Sequence, residues 1–542
     1  MACEAAKGGA LLLKSSQMMK THRFFRAALW LLAAWLVTPV FGAALGEIAP
    51  FKKAKPDESD AFFASRHIPR LKIEIGPKEV EQLNRANREY VRCTVREDDK
   101  FVYEFVGVHL KGAAGSFRGL GDKPALSLNF DKFRDNQKFH GMDKLHLNNS
   151  VQDGTLMHES ISRSLFLDAG VPVGRAGHVL VTLNGRDLGP YVLIEGFDRT
   201  FLKRHFKDPD GNFYDGGFCQ DLDAEKKLVT NDKIKGQPDL KAVWAAAHEP
   251  DATKRYQRLQ QVLDVDRFYT FVALELMISH WDGYVRNRNN YRLFVPKESG
   301  KLIFMPSGMD QVLGDPNFDL WGMGGQVATK LMETPEGKKA YRERVTWLYQ
   351  NVFKPEVLHA RVDEMAEKLK PINAQHFPNS AADLKRRLTA RAEVIAKQVG
   401  IPVVPAAPRK PVALNKTEQW QSKNEAGTPQ FTTPTPNGKR CLFIRATGET
   451  TASWRATVPL ELGPYRLEGM VRTQGVVSDG NIGAGLRVSG GTRNGGLIGD
   501  TEWKKVEFDF DSTGGEMAIV CELRAKKGDV WFDLDSLRVV PR

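Results

Sequence analysis

The sequence predicts an α+β domain followed by an all-β sandwich domain. Three observations carry this expectation. Strand-like and helix-like runs are mixed irregularly up to residue 399. The stretch Gly400–Pro411, with Pro402, Pro405, Pro408 and Pro411, then reads as a semi-rigid linker. Beyond it, residues 412–542 carry short period-two runs, many Gly and Thr, and no helical period, which is the pattern of a sandwich.

The elements follow in order. After a polar leader over residues 46–69, Arg70–Ile75 alternates as a strand and Pro77–Tyr90 has helical spacing. Tyr90–Glu97, Phe101–Leu110 and Ala125–Phe130 read as strands, with a Gly-rich turn over Gly112–Gly121 between the last two. Thr155–Leu167 is an amphipathic helix stopped by Ala169-Gly170 and Pro172. Val179–Leu183 and Tyr191–Glu195 form a hairpin around Asn184-Gly185, a dipeptide suited to two successive positive φ angles. Val265–Ile278 is an apolar helix that runs into a polar loop, His280–Asn290. A second hairpin joins Tyr291–Val295 to Lys301–Pro306, and Lys330–Gln398 is helical with many i, i+4 charge pairs. In the C-terminal domain the strand-like runs are Lys439–Ala446, Tyr465–Thr473, Lys504–Phe510, Glu516–Arg524 and Val530–Val540.

Composition narrows the function classes. Hydrophobic residues at 42% are enough to build cores, which sets aside a fibrous or wholly disordered chain. The formal net charge of +12 favours anionic partners such as nucleotides or envelope polymers. No dense Lys/Arg run is interleaved with aromatics, so no nucleic-acid partner is expected. At the N-terminus, Lys20, Arg23 and Arg26 precede the apolar run Ala27–Val40 and the small residues Gly42, Ala43 and Ala44. That order describes an export signal over residues 1–45, with Met18 or Met19 as an alternative start. The run is short for the rival reading, a membrane anchor, which needs about 20 apolar residues. A secreted or cell-envelope location is therefore expected. Five cysteines without metal-type spacing do not staple the fold; Cys441 and Cys521 are as readily buried thiols as a pair.

The strongest local signal is His280-Trp281-Asp282, with Asn287 five residues after the Asp. This is the spacing of a phosphotransfer loop, in which a carboxylate accepts the hydrogen bond of an attacking hydroxyl and an amide holds Mg²⁺ without adding charge. A hairpin then leads to a second acid, Asp310. The bland alternative is an ordinary turn Asp and a helix-capping His, since an Asp and an Asn five apart recur by chance.

Longer segments add to this. Lys144-Leu-His-Leu-Asn148-Asn149-Ser150, with Asp153 and Glu159 following, resembles the K-L-x-L-N-N-S-x-x-D-x-S-x-x-R-E segment of the CotH (spore coat protein H) kinase family. Val181 to Glu195 resembles its V-x-x-N-G-x-x-x-G-x-Y-x-L-x-E segment, and Asp282, Asn287, Asn290, Tyr291 and Asp310 also fit. The resemblance spans residues 70–399 and implies an atypical protein-kinase-like domain; the all-β jelly roll expected after it rests on a separate resemblance of residues 412–542. It implies an exported protein kinase that takes ATP with Mg²⁺ or Mn²⁺ and phosphorylates Ser/Thr of a protein substrate. By motif, Asp282 is the catalytic position, with Asn287 and Asp310 on the metal. Lys123 is the first choice for the cation on the phosphates, with Lys111 and Lys144 as rivals. Gly112, Gly115 and Ser116 of the Gly-rich loop, Lys111, Glu159 and Glu195 fall on the nucleotide side. Two departures stand out. Ser307-Gly308 replaces the Trp-Asp common in the family's P-W-D-x-D, leaving a pseudokinase as the alternative, and His158 stands where Arg is common. The C-terminal domain resembles galactose-binding-like carbohydrate-binding modules. Trp454, Tyr465, Trp503 and Trp531 are then candidates to stack a glycan, and Asp533 or Asp535 to hold a structural Ca²⁺, so a cell-surface carbohydrate-binding protein without phosphotransfer activity is a second alternative.

Overall fold

The computed structural model describes Ile48 and residues 56–230, 236–402, 409–478, 482–491 and 495–542. The expected export signal lies outside these residues, as does 403–408 of the linker. Among the described residues no helix is long and apolar enough to cross a membrane.

Seven strands close into a barrel: β1 (Arg70–Glu74), β2 (Val91–Glu97), β3 (Phe101–Lys111), β4 (Ala125–Asn129), β5 (Lys144–Asn148), β6 (Ala176–Leu183) and β7 (Arg186–Glu195). Their order around the barrel is β1-β2-β3-β4-β5-β7-β6, and the parallel pairing of β1 with β6 closes it. Alternation is the cause: Val91, Cys93 and Val95 of β2 and Leu145 and Leu147 of β5 all point into one core. Asn184 and Gly185 have φ of 47° and 79°, as the two-residue turn requires, and the Asn184 side chain bonds the backbone of Ile75 in both directions.

The polar leader contains a helix, α1 (Glu58–Ala64), capped by Asp57 and fastened to the barrel through Arg175 and Arg204. Helix α2 (Pro77–Arg85) is shorter than its apolar spacing suggested. Helix α3 (His158–Asp168) crosses from the barrel to the second half of the domain.

That half begins with α4 (Arg199–His205) and the strands β8 (Gly211–Asp215) and β9 (Lys227–Leu228). It continues with α5 (Pro238–Ala247), α6 (Ala252–Val262), α7 (Val265–Met277) and the single turn α8 (Tyr284–Asn287). Strands β10 (Tyr291–Pro296) and β11 (Ile303–Pro306) join β8 and β9 in a four-stranded sheet of order β11-β10-β8-β9. Helices α9 (Gln326–Met332), α10 (Pro335–Asn351), α11 (Pro355–Leu369) and α12 (His376–Val399) complete it. Helix α7 is buried on every side from Arg267 to Met277 and forms the centre of this core. Arg391 of α12 caps its C-terminus, donating to the carbonyls of Leu276 and Met277 and also to those of Pro316 and Phe318.

Among the described residues of 412–541 there are nine strands and three single 3₁₀ turns around a separate core. The strands are β12 (Val412–Ala413), β13 (Trp420–Ala426), β14 (Gln430–Thr432), β15 (Cys441–Ala446), β16 (Thr450–Val477), β17 (Ala484–Val488), β18 (Gly499–Ala525), β19 (Lys527–Asp533) and β20 (Arg538–Pro541). Runs expected to be separate are joined: β16 and β18 pair antiparallel over most of their length, with register shifts near Val471–Val476. The α+β character and the all-β C-terminal part are thus as the sequence indicates. Trp454 and Tyr465 belong to the β core, whereas Trp503 and Trp531 are half-buried. Asp533 and Asp535 are ion-paired with Lys439 and Arg440. Cys441 and Cys521 are buried free thiols.

Candidate active site

A cavity of about 250 Å³ lies between the barrel and the helical half. Its barrel wall comes from Lys111 at the end of β3, Asn148 of β5 and Ile194 of β7. Gly112 and Ser116 roof it. Asp282, Asn289 and Asn290 line the other side, with Gly308 and Asp310 following β11. Two acids 28 residues apart thus face one cleft with a lysine more than 170 residues upstream of either.

Asp282 is held by three amides. Asn287 Nδ2 donates to Oδ1 at 2.7 Å, Asn290 Nδ2 to Oδ2 at 2.8 Å, and Asn289 Nδ2 to Oδ2 at 3.1 Å. The loop is set from beneath by buried groups. Glu275 accepts from the N–H of Tyr284 and Val285, tying α7 to α8. His280 Nε2 lies 3.2 Å from the Gly308 carbonyl, and Nδ1 lies 3.5 Å from Glu275 Oε1. Burial opposes the charged imidazole, but Glu275 outweighs it and raises the His280 pKa.

Lys111 Nζ donates to Asn148 Oδ1, and Asn148 Nδ2 donates to Glu159 Oε1 at 3.1 Å. Glu159 Oε2 receives Arg163 Nε at 2.8 Å; both residues are buried. Burial lowers the Lys111 pKa to about 8 against the pull of Glu159 and Asp310. Burial, then the charge of Glu159, pushes the Asp310 carboxyl up. The Asp310 carbonyl receives His158 Nδ1 at 2.7 Å, and Arg387 Nη2 lies 3.3 Å from the other ring nitrogen. His158, at the position where the family has Arg, thus latches α3 to the segment after β11.

Lys123 is elsewhere. Its Nζ donates to the Pro190 carbonyl at 2.9 Å, lies over the Tyr191 ring, and does not line the cavity. Lys144 also stands outside it. Glu195 is a structural anion: burial alone would raise its pKa, but Arg175 and Arg204 bind it and lower it. Gly115, at φ of 82°, turns the loop back toward Gln152. Asn287 stands behind Asp282, while Asn289 and Asn290 line the cavity. Gly308 has φ of 54°, and a Cβ there would strike Asn290 Oδ1. The missing acid therefore leaves room for Asn290 to hold Asp282. Asn290 and Arg163 hold acids eight and four residues away in the chain, whereas the partners of His158, Asp310 and Arg387, lie on distant segments that sequence spacing does not connect.

The model of the CotH kinase protein family matches residues 108–396, more than half of the chain. The chain belongs to this family. The matched segment contains every residue named in this cleft. Over 264 residues the CotH chain is 24% identical to the inner spore coat protein H of Bacillus subtilis, covering 43% of this chain and 69% of that protein. It is 21% identical over 248 residues to invasin CotH7 of Rhizopus delemar, covering 41% of each. Among solved structures, the Helicobacter pylori proinflammatory kinase CtkA aligns over 51% of the CotH chain and 94% of its own, at 10% identity and a TM-score of 0.28. The carbohydrate-binding module TmCBM61, solved with β-1,4-galactotriose, aligns over 24% of this chain and 92% of its own, at 16% identity and a TM-score of 0.19. At these scores the two structural likenesses say nothing further about the CotH chain.

Proposed function

We propose that the chain is an exported protein kinase that transfers the γ-phosphoryl group of ATP to Ser or Thr of secreted or envelope proteins. The observation that carries this reading is the convergence of Lys111, Asp282 and Asp310 on one cleft with a glycine-bearing roof.

Each group has a task its geometry suits. Asp282, oriented by three amides, presents a fixed carboxylate to accept the hydrogen bond of the acceptor hydroxyl. Lys111 supplies a desolvated ammonium to the phosphates, and Asn148 links it to Glu159 as a Lys–Glu pair would. This role falls to Lys111 rather than Lys123, which is spent on Pro190. Among the described residues no three His, Cys, Asp or Glu side chains form a metal cluster. The hard-oxygen set that fits Mg²⁺ is the Asp310 carboxylate with the Asn290 amide oxygen, whose NH₂ is already turned to Asp282. Bound there, the metal would neutralise charge on the phosphate oxygens. Export is supported by the spore-coat location that the B. subtilis relative's name carries and by the order of residues 20–44.

The test is incubation of the protein with labelled ATP, Mg²⁺ or Mn²⁺ and casein as acceptor. Label is expected on casein or on the chain itself, falling by about 10²-fold or more in Asp282→Asn. Nucleotide binding without transfer would make the protein a pseudokinase, and absence of nucleotide binding would sink the phosphotransfer reading. A second reading concerns the C-terminal part. Trp531 packs against Phe443 at 4.9 Å between ring centroids and is half-buried, with the Arg472 guanidinium 5.5 Å over its ring; a sugar would stack there by displacing Arg472. Retention on polysaccharide columns that is lost in Trp531→Ala tests it.

A further inference from the structure

A cavity of about 970 Å³, far larger than the cleft, opens on the other flank of α3. Arg163 of this helix lines the cleft and Glu159 meets its wall through Asn148, whereas Ser160, Ile161 and Ser164 line the second cavity. At about 100° per residue these are two adjoining faces of one helix. The opposite wall is α11, whose Arg361 Nη1 donates to Ser164 Oγ at 2.8 Å and bonds Asp168 at 2.7 Å.

The third wall is an unpaired strand edge. The N–H of Glu195 bonds the carbonyl of Arg175, so Arg175, Gly177 and Val179 turn their backbone groups toward β7. Ala176, His178 and Leu180 therefore turn theirs the other way. Leu180 N–H finds the Pro69 carbonyl, where pairing with β1 begins. Pro69 has no N–H, so the ladder stops there, and among the described residues the outward groups of Ala176 and His178 meet no strand. Both residues line the cavity. His178 is 3% exposed; its Nε2 is spent on the Leu156 carbonyl, and its Nδ1 has no partner among the described residues. Phe63 and Met365 supply apolar surface beside this edge.

We infer that this cavity is a peptide-docking site in which an extended segment of a partner polypeptide adds as a short strand to β6 at Ala176–His178. A free edge of alternating donors and acceptors beside apolar pockets is how strand addition is recognised. Because the peptide would touch α3, it would act on Glu159 and on the His158 latch to Asp310, making the site a regulator of the cleft. The seat is independent of the phosphotransfer reading; its effect on the cleft rests on that reading.

The test uses the full chain and 12-residue peptides selected from a random display library. Selected peptides should bind the wild type and Asp282→Asn alike. They should lose at least tenfold in affinity to Ser164→Trp, which fills the cavity, and to Ala176→Pro, which removes an outward N–H. Both variants should keep their circular dichroism and labelled-ATP binding. In the wild type a bound peptide should shift the Kd for labelled ATP threefold or more. Peptides that bind both variants normally, or a selection that yields none, would overturn the docking site. Binding of anionic lipid vesicles or self-association that Ser164→Trp abolishes would assign the cavity another occupant and overturn the peptide. Peptide binding with an unchanged Kd for ATP would overturn the regulation alone, and failure of phosphoryl transfer would leave the peptide measurements intact.

Discussion

Lys111 shows how one buried charge shapes the chemistry of a cleft. Its ammonium is held by Asn148 and by the fields of Glu159 and Asp310, while burial brings its pKa to about 8. In the free protein it therefore loses its charge as pH rises through about 8, well before an ordinary lysine. Asp310 moves the other way: burial raises its pKa, so it gains a proton sooner than usual as pH falls. Labelled-ATP affinity in the presence of Mg²⁺ is expected to fall on both sides of neutrality, and Lys111→Arg should remove the alkaline limb. Lys111→Met should abolish binding, whereas Lys123→Met should change it less than threefold. Titration calorimetry across pH 5–10 reads both. The choice between these lysines was not available from the sequence. Both flank the Gly-rich loop, and only the strand register of β3 against β4 and β5 turns Lys111 into the cleft.

Two elements position the acids, and each has a weak point. The turn after β11 depends on Gly308, whose positive φ an Asp tolerates but whose missing Cβ leaves space for Asn290. Restoring the family's acid with Gly308→Asp is expected to displace Asn290 from Asp282. Transfer should then fall by at least tenfold in the labelled-ATP assay rather than rise. Below the catalytic loop, Arg391 donates to the α7 carbonyls of Leu276 and Met277 and to those of Pro316 and Phe318, while the Ser279 N–H shares Leu276 and Gln398 Nε2 shares Phe318. Arg391→Met takes the side-chain donor from the Met277 and Pro316 carbonyls and should cost roughly 3 kcal/mol in denaturant unfolding. Helix α7, the hairpin β10–β11 and the loop between them could be recognised from sequence because apolar periodicity, the His-x-Asp spacing and the Lys-Glu-Ser-Gly turn are local. Helix α1 was hidden in a polar leader because its stability comes from Arg175 and Arg204, more than 100 residues away.

The whole molecule has separate hydrophobic cores on the two sides of the linker, one set for the barrel and helices and one for the β domain. Scanning calorimetry of the full chain is expected to show more than one transition. A chain ending at Pro402 should retain the first transition and the labelled-ATP affinity; loss of both would mean that the β domain is part of the catalytic fold. The division itself was evident from composition, because a Pro-spaced stretch and a change from mixed to period-two patterning mark it in the chain. By itself the sequence determined the element types and the family, and it singled out the acids at 282 and 310 as candidates. All of these are written in residue neighbours within about twenty positions of one another, or in motifs of fixed order. Only the tertiary structure decided that seven strands close into a barrel, that Lys111 rather than Lys123 enters the cleft, and that Asn290 occupies the space beside Gly308. Those outcomes depend on packing and register between distant segments, and such energies leave no periodic trace along the chain.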